Sequence, residues 1–330
     1  MFKKAIEELS SRYEQKDMDS ALNYFTNNTI LSQLIIGLKA FKDIVENKVF
    51  YISESTLCKG VPESSQSQSL FRKLSTTKTH YVKLIIYGDH WRYALLKLSR
   101  GKNEIMYVDG VSDFYISENI KYINTITKLI NNAGFGNRSI IHYGNEKIQN
   151  DDDHCAIFAI DGIGNLPDIE SYIYGNIFSY LEESFIKNEV FEEMKLKINY
   201  VTLPDRLIKS KQSLKQLQKD ILERRSRNHQ EVVNQKGLSL FEHTRSKTRN
   251  IVTKSSLKAV NYTIQLKFIK YINRLKLLNA VFNEYELSQL ATASCSELFS
   301  QSHANHALKK NEKKYNSIKN KISRTIPYYN

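Results

Sequence analysis

The stretch IQNDDDHCAIFAIDGI, residues 148–163, runs three aspartates and a histidine into a cysteine, then straight into an apolar segment. From Cys155 the pattern reads as the start of a buried helix that follows a polar loop. That position decides what the thiol is. Carboxylates beside a thiol hold it protonated. A helix N-terminus or a nearby imidazolium favours the thiolate. Asp151, Asp152 and Asp153 read as capping and loop residues that face solvent. Cys155 is then either an inert core thiol or a nucleophile.

Residues upstream bear on the choice. His90 and Trp91 open one strand, and Asp109 ends the next. In an antiparallel hairpin the start of one strand lies beside the end of its partner, so these two side chains can meet. An Asp–His pair orients an imidazole and stabilises its charged form. The bland alternative is an ion pair at a loop edge. Gln149 precedes the cysteine closely enough for its amide to donate to an oxyanion beside the thiol.

The segments around these residues suggest an α+β chain. Residues 1 to about 50 carry apolar positions at three- and four-residue steps and read as helices. VPESSQSQS, residues 61–69, is a polar break. HYVKLIIYG, HWRYALLKL, EIMYVDG and RSIIHYG are short runs rich in Tyr, Val, Ile and Leu, and read as strands. SRGKN joins two of them as a hairpin connection, and a helix in YINTITKLINNAG precedes the last. From Leu181 onward the reading is mainly helical and basic. GFGNRS and GIGNLP complete neither a dinucleotide-binding nor a P-loop pattern and read as turns.

Composition narrows the classes. The chain has 330 residues and 41% hydrophobic content, enough for a substantial core, and its 4 Pro and 12 Gly argue against long low-complexity linkers. No apolar run is long enough to span a membrane. The three cysteines, Cys58, Cys155 and Cys295, are far apart, which argues against a disulfide framework or a zinc site, and no metal is expected. The net charge of +13 fits either a solvated basic surface or an anionic partner. A basic module that binds nucleic acid would leave the His/Asp hairpin and the polar-loop cysteine as accidents, so no DNA partner is expected.

The order His90, Asp109, Gln149, Cys155, set in "HW", "VD", "Q" and "HCAIF", resembles the adenain and ubiquitin-like-protein-protease clan. Within it the chain is most similar to the YopJ family of bacterial effectors, which use a protease triad for acetyl transfer. LPDRLIKSKQS (203–213) resembles that family's "LP….KH.QS" segment, with KS in place of KH. VVNQKGLSLFEHTR (232–245) resembles its "VNKKGETL…R" segment, and NYTIQLKFIKYINRL (261–275) its closing helix. The residue before the cysteine, His154, departs from the family's usual Ser, Asp or Glu.

The resemblance implies an adenain-like core, a small mixed sheet with helices, flanked by N- and C-terminal helical regulatory segments. The corresponding divisions are 1–74, 75–185 for the catalytic core, 186–285, and 286–330 for a basic terminal helix or tail. It implies an effector secreted by a bacterium into the host cell cytoplasm. There it would move acetyl from acetyl-CoA through Cys155 to Ser, Thr or Lys of host signalling proteins. Inositol hexakisphosphate would activate it. His90, Asp109, Cys155 and Gln149 would be catalytic, and Lys209 matches an autoacetylated lysine. Arg206, Lys209, Lys211, Arg224, Arg225, Arg245 and Lys247 are candidates for holding the inositol phosphate or CoA. A deubiquitinase or ubiquitin-like-protein protease with the same triad is the alternative.

Overall fold

The computed structural model describes residues 1–47, 50–54, 70–72, 74, 76–87, 90–111, 116–144, 146–149, 154–166, 176–225, 233, 236–252, 257–291 and 320. Cys58, Cys295, the three aspartates of the loop, the 61–69 break and nearly all of the basic tail lie outside these residues.

Three helices lead, α1 (Phe2–Glu14), α2 (Met18–Asn27) and α3 (Thr29–Asn47). Strands β1 (Phe50–Glu54), β2 (His80–Ile86), β3 (Arg92–Leu98) and β4 (Asn103–Asp109) follow. Next come α4 (Ile116–Asn132), β5 (Ser139–Gly144), α5 (Cys155–Gly164), α6 (Ile177–Glu183), β6 (Phe185–Phe191) and β7 (Leu196–Val201). The remainder is α7 (Asp205–Ile208), α8 (Leu214–Arg225), α9 (Leu240–Lys247), the hairpin β8 (Thr248–Val252) and β9 (Leu257–Asn261), α10 (Thr263–Val281) and α11 (Glu284–Ala291).

Seven strands form one mixed sheet in the order β1-β2-β3-β4-β5-β7-β6. Its central strands are buried on both faces, which explains their near-continuous apolar runs. Alternation sorts them cleanly. Tyr93, Leu95, Met106 and Val108 join α5, α10 and the N-terminal helices in one core. Ala94, Leu96, Ile105 and Tyr107 join α4, through Ile123, Ile126 and Ile130, in the other. Each such fully buried aliphatic side chain contributes about 1.5–3 kcal/mol.

The four strands read from the sequence between residues 80 and 144 are present, and α4 begins earlier than its read start. After Leu181 the helical reading needs correction. β6 and β7 add two strands, so the sheet runs past residue 185 to Val201, and β8–β9 add a separate hairpin. β1 is also a strand, parallel to β2.

The N-terminal helices pack against α10 and α11 in one helical layer. The Glu284 carboxylate, at the start of α11, accepts from the N-terminal ammonium and the backbone N–H groups of Phe2 and Lys3. It thereby satisfies orphan donors in the first turn of α1. Lys276 of α10 reaches Glu14 of α1 at 2.6 Å. α3 packs so closely on α11 that a Cβ at Gly37 would lie 2.0 Å from the Leu290 carbonyl oxygen.

Candidate active site

One end of the sheet holds two of the expected residues, His90 and Asp109. The β3–β4 register sets Arg92 opposite Asp109, with His90 just before β3. His90 Nε2 lies 2.7 Å from Asp109 Oδ1, and both side chains are buried. The hairpin expectation for this pair therefore holds geometrically. Val111 N–H also donates to Oδ1, and Asn119 Nδ2 donates to Oδ2 at 2.8 Å. Burial pushes the Asp109 carboxyl up. The hydrogen bond and charge of His90, together with the Val111 and Asn119 donors, outweigh it and hold the group below the usual carboxylate value.

Arg92 ties the pair to its surroundings. Its guanidinium donates to Asn119 Oδ1 at 2.7 Å, to the His90 carbonyl at 3.1 Å and to Glu118 at 2.8 Å. Tyr107 donates to Asn119 Oδ1, and Asn119 donates to Tyr143 Oη. Asn119, on α4, is thus the hub that orients the orienting acid. Nothing in the sequence marked it, because it sits among helix residues as one more polar position.

Cys155 is the first residue of α5 and is buried. Apart from Asp161, α5 is apolar all round because it lies between the sheet and the outer helices. The preceding segment is fixed by two backbone bonds, from the N–H groups of Ile148 and Gln149 to the Gly110 carbonyl, at 2.9 and 2.8 Å. This sets fully buried Gln149 against the residue that follows Asp109. A small cavity of about 10 Å³ is lined by Trp91, Gly110, Ile148, Phe158 and Ala159 among others. Trp91, Gly110 and Ile148 adjoin His90, Asp109 and Gln149 in the chain, and Phe158 and Ala159 lie on the first turns of the helix that Cys155 starts.

The LPDRLIKSKQS segment closes the far side. Gln212 N–H donates to the Ile148 carbonyl at 2.9 Å, and its side-chain amide lies 3.5 Å from His154 Nδ1. Gln212 therefore spans both ends of the loop that delivers the cysteine. Asn261, before α10, donates to the carbonyls of Lys209 and Lys211, the second of which directly precedes Gln212. A continuous chain of bonds links the start of α10 to the start of α5.

The basic candidates divide. Lys209 is buried and donates to Asn165 Oδ1 and the Val233 carbonyl. Lys211 is buried in a 2.6 Å pair with Asp220. Arg206 and Lys247 are half-buried and Arg245 is exposed. The side chains of Arg224 and Arg225 lie outside the described residues. A second set, missed in the sequence, surrounds Asp161 of α5. Lys267 reaches Asp161 at 2.7 Å; burial and the charges of Lys267, Arg274 and Lys83 bring Lys39 down to about 7, against the raising effect of Asp161. Lys270 is also lowered, by burial and by Lys267, Arg274 and Lys247. Asp161, despite burial, is held well below the carboxylate range by Lys267, Lys209 and Lys39. Lys39 of α3, Lys267 of α10 and Lys209 thus share one buried acid.

The fold is α+β, with a buried His–Asp pair at one end of the sheet and a cysteine at a buried helix start. The family described as YopJ Serine/Threonine acetyltransferase matches residues 53–274, and the chain belongs to it. Among solved structures, AvrA delL154 with IP6 and CoA is similar at 12% identity and a TM-score of 0.56, covering 84% of this chain and 99% of that one. HopZ1a in complex with IP6 and CoA is 11% identical with a TM-score of 0.49, covering 83% and 96%. No curated protein sequence matches significantly.

Proposed function

We propose that the chain transfers acetyl from acetyl-CoA, through Cys155, to Ser, Thr or Lys side chains of host proteins. The observation that carries this is the His90–Asp109 pair at the sheet end that also receives Gln149 and the α5 N-terminus. Asp109 engages Nε2 of His90, which makes Nδ1 the nitrogen to serve the thiol. His90 takes the Cys155 proton, and the thiolate attacks the acetyl carbonyl. The Gln149 amide and the Cys155 backbone N–H steady the oxyanion. The CoA thiolate leaves with the proton from His90, and the acceptor hydroxyl or amine, deprotonated by His90, then displaces Cys155.

Inositol hexakisphosphate fits the cation cluster as an activator, and this reading draws on the IP6 in the AvrA and HopZ1a structures. Lys39, Lys267, Lys270 and Arg274 are the residues proposed to hold it, with Lys247 and Arg245 at the rim. Lys209 borders the cluster, but its amine is enclosed, so autoacetylation requires this segment to open. Secretion into a host cell follows from the effector family and is part of the same proposal.

The test is intact mass after incubation with acetyl-CoA, with and without inositol hexakisphosphate. The chain should gain an acetyl group that hydroxylamine removes, and Cys155→Ala should not acquire it. Labelling by a ubiquitin probe with a C-terminal electrophile, without acetyl uptake, would favour the protease alternative.

A further inference from the structure

β6 closes one edge of the seven-stranded sheet and is covered by nothing among the described residues. Six of its seven residues are exposed, and Phe185, Ile186 and Val190 are 48%, 49% and 51% accessible. An uncovered edge presents unpaired backbone N–H and C=O groups and is a template for another strand. Its sequence is Phe185-Ile186-Lys187-Asn188-Glu189-Val190-Phe191. Read from either end, the order of residue classes is the same: aromatic, branched aliphatic, charge, amide, opposite charge, branched aliphatic, aromatic.

We propose that β6 pairs two copies of this chain, antiparallel and centred on Asn188. In that register Lys187 faces Glu189 of the other copy and Glu189 faces its Lys187. Ile186 meets Val190, Phe185 meets Phe191, and Asn188 meets itself. Opposite side chains in an antiparallel pair lie close enough for both the charge and the apolar matches to stabilise it. Charges on an edge strand usually deter pairing, but here they select it. Sliding the partner by two residues sets Lys187 against Lys187, or Glu189 against Glu189. The charges therefore fix one register and exclude its neighbours.

Two features limit the strength. The irregularity between Phe185 and Lys187 against β7 twists the strand at that end. A seven-residue ladder also buries less than the roughly 1,200–2,000 Å² of a stable interface. The dimer is therefore concentration-dependent. The two sheets join edge to edge with their catalytic ends pointing in opposite directions.

The experiment is sedimentation of the full 38.4 kDa chain over a wide concentration range, at a salt concentration that screens its +13 charge. The wild type should move from monomer towards dimer. Lys187→Glu and Glu189→Lys should each stay monomeric, because each places like charges opposite one another twice. An equimolar mixture of these two variants should dimerise, and so should the double variant Lys187→Glu/Glu189→Lys, since both restore opposite charges. Within the chain, Glu189 accepts from Tyr200 Oη and Lys187 lies over the Tyr200 ring, so a thermal melt of each variant checks its fold. A wild type that stays monomeric throughout overturns the proposal. So do single variants that dimerise like the wild type, or a mixture of folded variants that does not. A monomeric chain whose Val190→Lys variant loses transfer to a protein acceptor would assign the edge to an extended substrate segment instead.

Discussion

Asn119 donates to Asp109 Oδ2 at 2.8 Å while its own carbonyl accepts from Arg92 and Tyr107. One buried amide thus holds both the acid that orients His90 and the arginine that holds the His90 backbone. Asn119→Ala removes these bonds together. Each buried group left unsatisfied costs about 1–3 kcal/mol, so the melting temperature should fall. The Asp109 carboxylate also loses a donor, and its pKa should rise. The acid limb of the kcat profile should move to higher pH with KM for acetyl-CoA little changed. A variant with lowered stability and an unmoved pH profile would make Asn119 purely structural.

Replacing the proposed nucleophile, Cys155, and the proposed orienting acid, Asp109, separates their roles. Cys155→Ala exchanges one small buried side chain for another and should abolish transfer with little change in the melt. Asp109→Asn keeps the shape but removes the charge that stabilises His90 as imidazolium. Turnover should drop by several orders of magnitude, on the order of the 10⁴-fold loss seen when a serine-protease aspartate is so changed. Single-turnover acetyl transfer is the measurement. Near-normal turnover of Asp109→Asn would place the partner of His90 elsewhere.

The site was largely legible because its parts are local. A hairpin of fixed polarity made His90 and Asp109 meet, and the change from polar loop to apolar run marked Cys155 as a helix start. The edge of the sheet was less legible. Leu196–Val201 does alternate, with Leu196, Ile198 and Tyr200 buried, and the alternation could have marked β7. β6 has no such signal, because an exposed edge strand has no buried face to write a pattern. Lys39, Lys267, Lys270 and Arg274 were invisible for another reason. They come from α3 and α10, far apart in the chain, and only packing around α5 collects them.

Gly37 tests the closure of the N- and C-terminal helices. Inside a helix, exchanging Gly for Ala ordinarily gains about 1 kcal/mol. Here the added methyl would sit 2.0 Å from the Leu290 carbonyl oxygen, a backbone atom that cannot rotate away. Overpacking of this kind costs about 1–3 kcal/mol, so the clash should win. Gly37→Ala should lower the urea midpoint. A stabilised Gly37→Ala protein would mean that α11 does not hold this position against α3.

His142 should make stability fall with acid. Its ring is buried beside Phe178, and neither nitrogen has a hydrogen-bond partner. Burial brings its pKa from 6.5 to about 4, against the raising effect of Glu104 and Glu182. The unfolded chain therefore takes up the proton first. Stability should decline as pH drops from 6.5 to 4 and level off below, by about 3 kcal/mol for this ring. His243, also brought to about 4 by burial and by Lys209, Lys247 and Lys267, adds to the same window. The depressed carboxyls of Asp109 and Asp161 act lower, their contribution being lost only below the ordinary carboxylate value of 3.8. Urea midpoints at pH 7 and 4.5 should differ less in His142→Leu than in the wild type. An unchanged difference would refute the burial penalty.

The cation cluster predicts a specific response to inositol hexakisphosphate. A ligand that binds the folded chain alone raises its stability by about 2.7 kcal/mol at a hundredfold excess over Kd. The melting temperature should therefore climb with ligand, and climb less as added salt screens the charges. Sulfate at equal ionic strength should do far less, since one small anion cannot engage cations from several helices at once. Lys267 is the wrong residue to remove first, because it neutralises buried Asp161, and its loss would unbalance the core whether or not a ligand binds. Lys270 is exposed and Arg274 half-buried on α10, so reversing both to Glu tests the site with less risk to the fold. The double variant should fold, show a smaller ligand-induced shift and need more inositol hexakisphosphate for acetyl transfer. Relief of repulsion should also raise the Lys39 pKa, whose neighbours include Arg274, and the melt without ligand should hold or improve. A full ligand shift in that variant would move the polyanion away from α10 and back towards Arg206, Arg245 and Lys247.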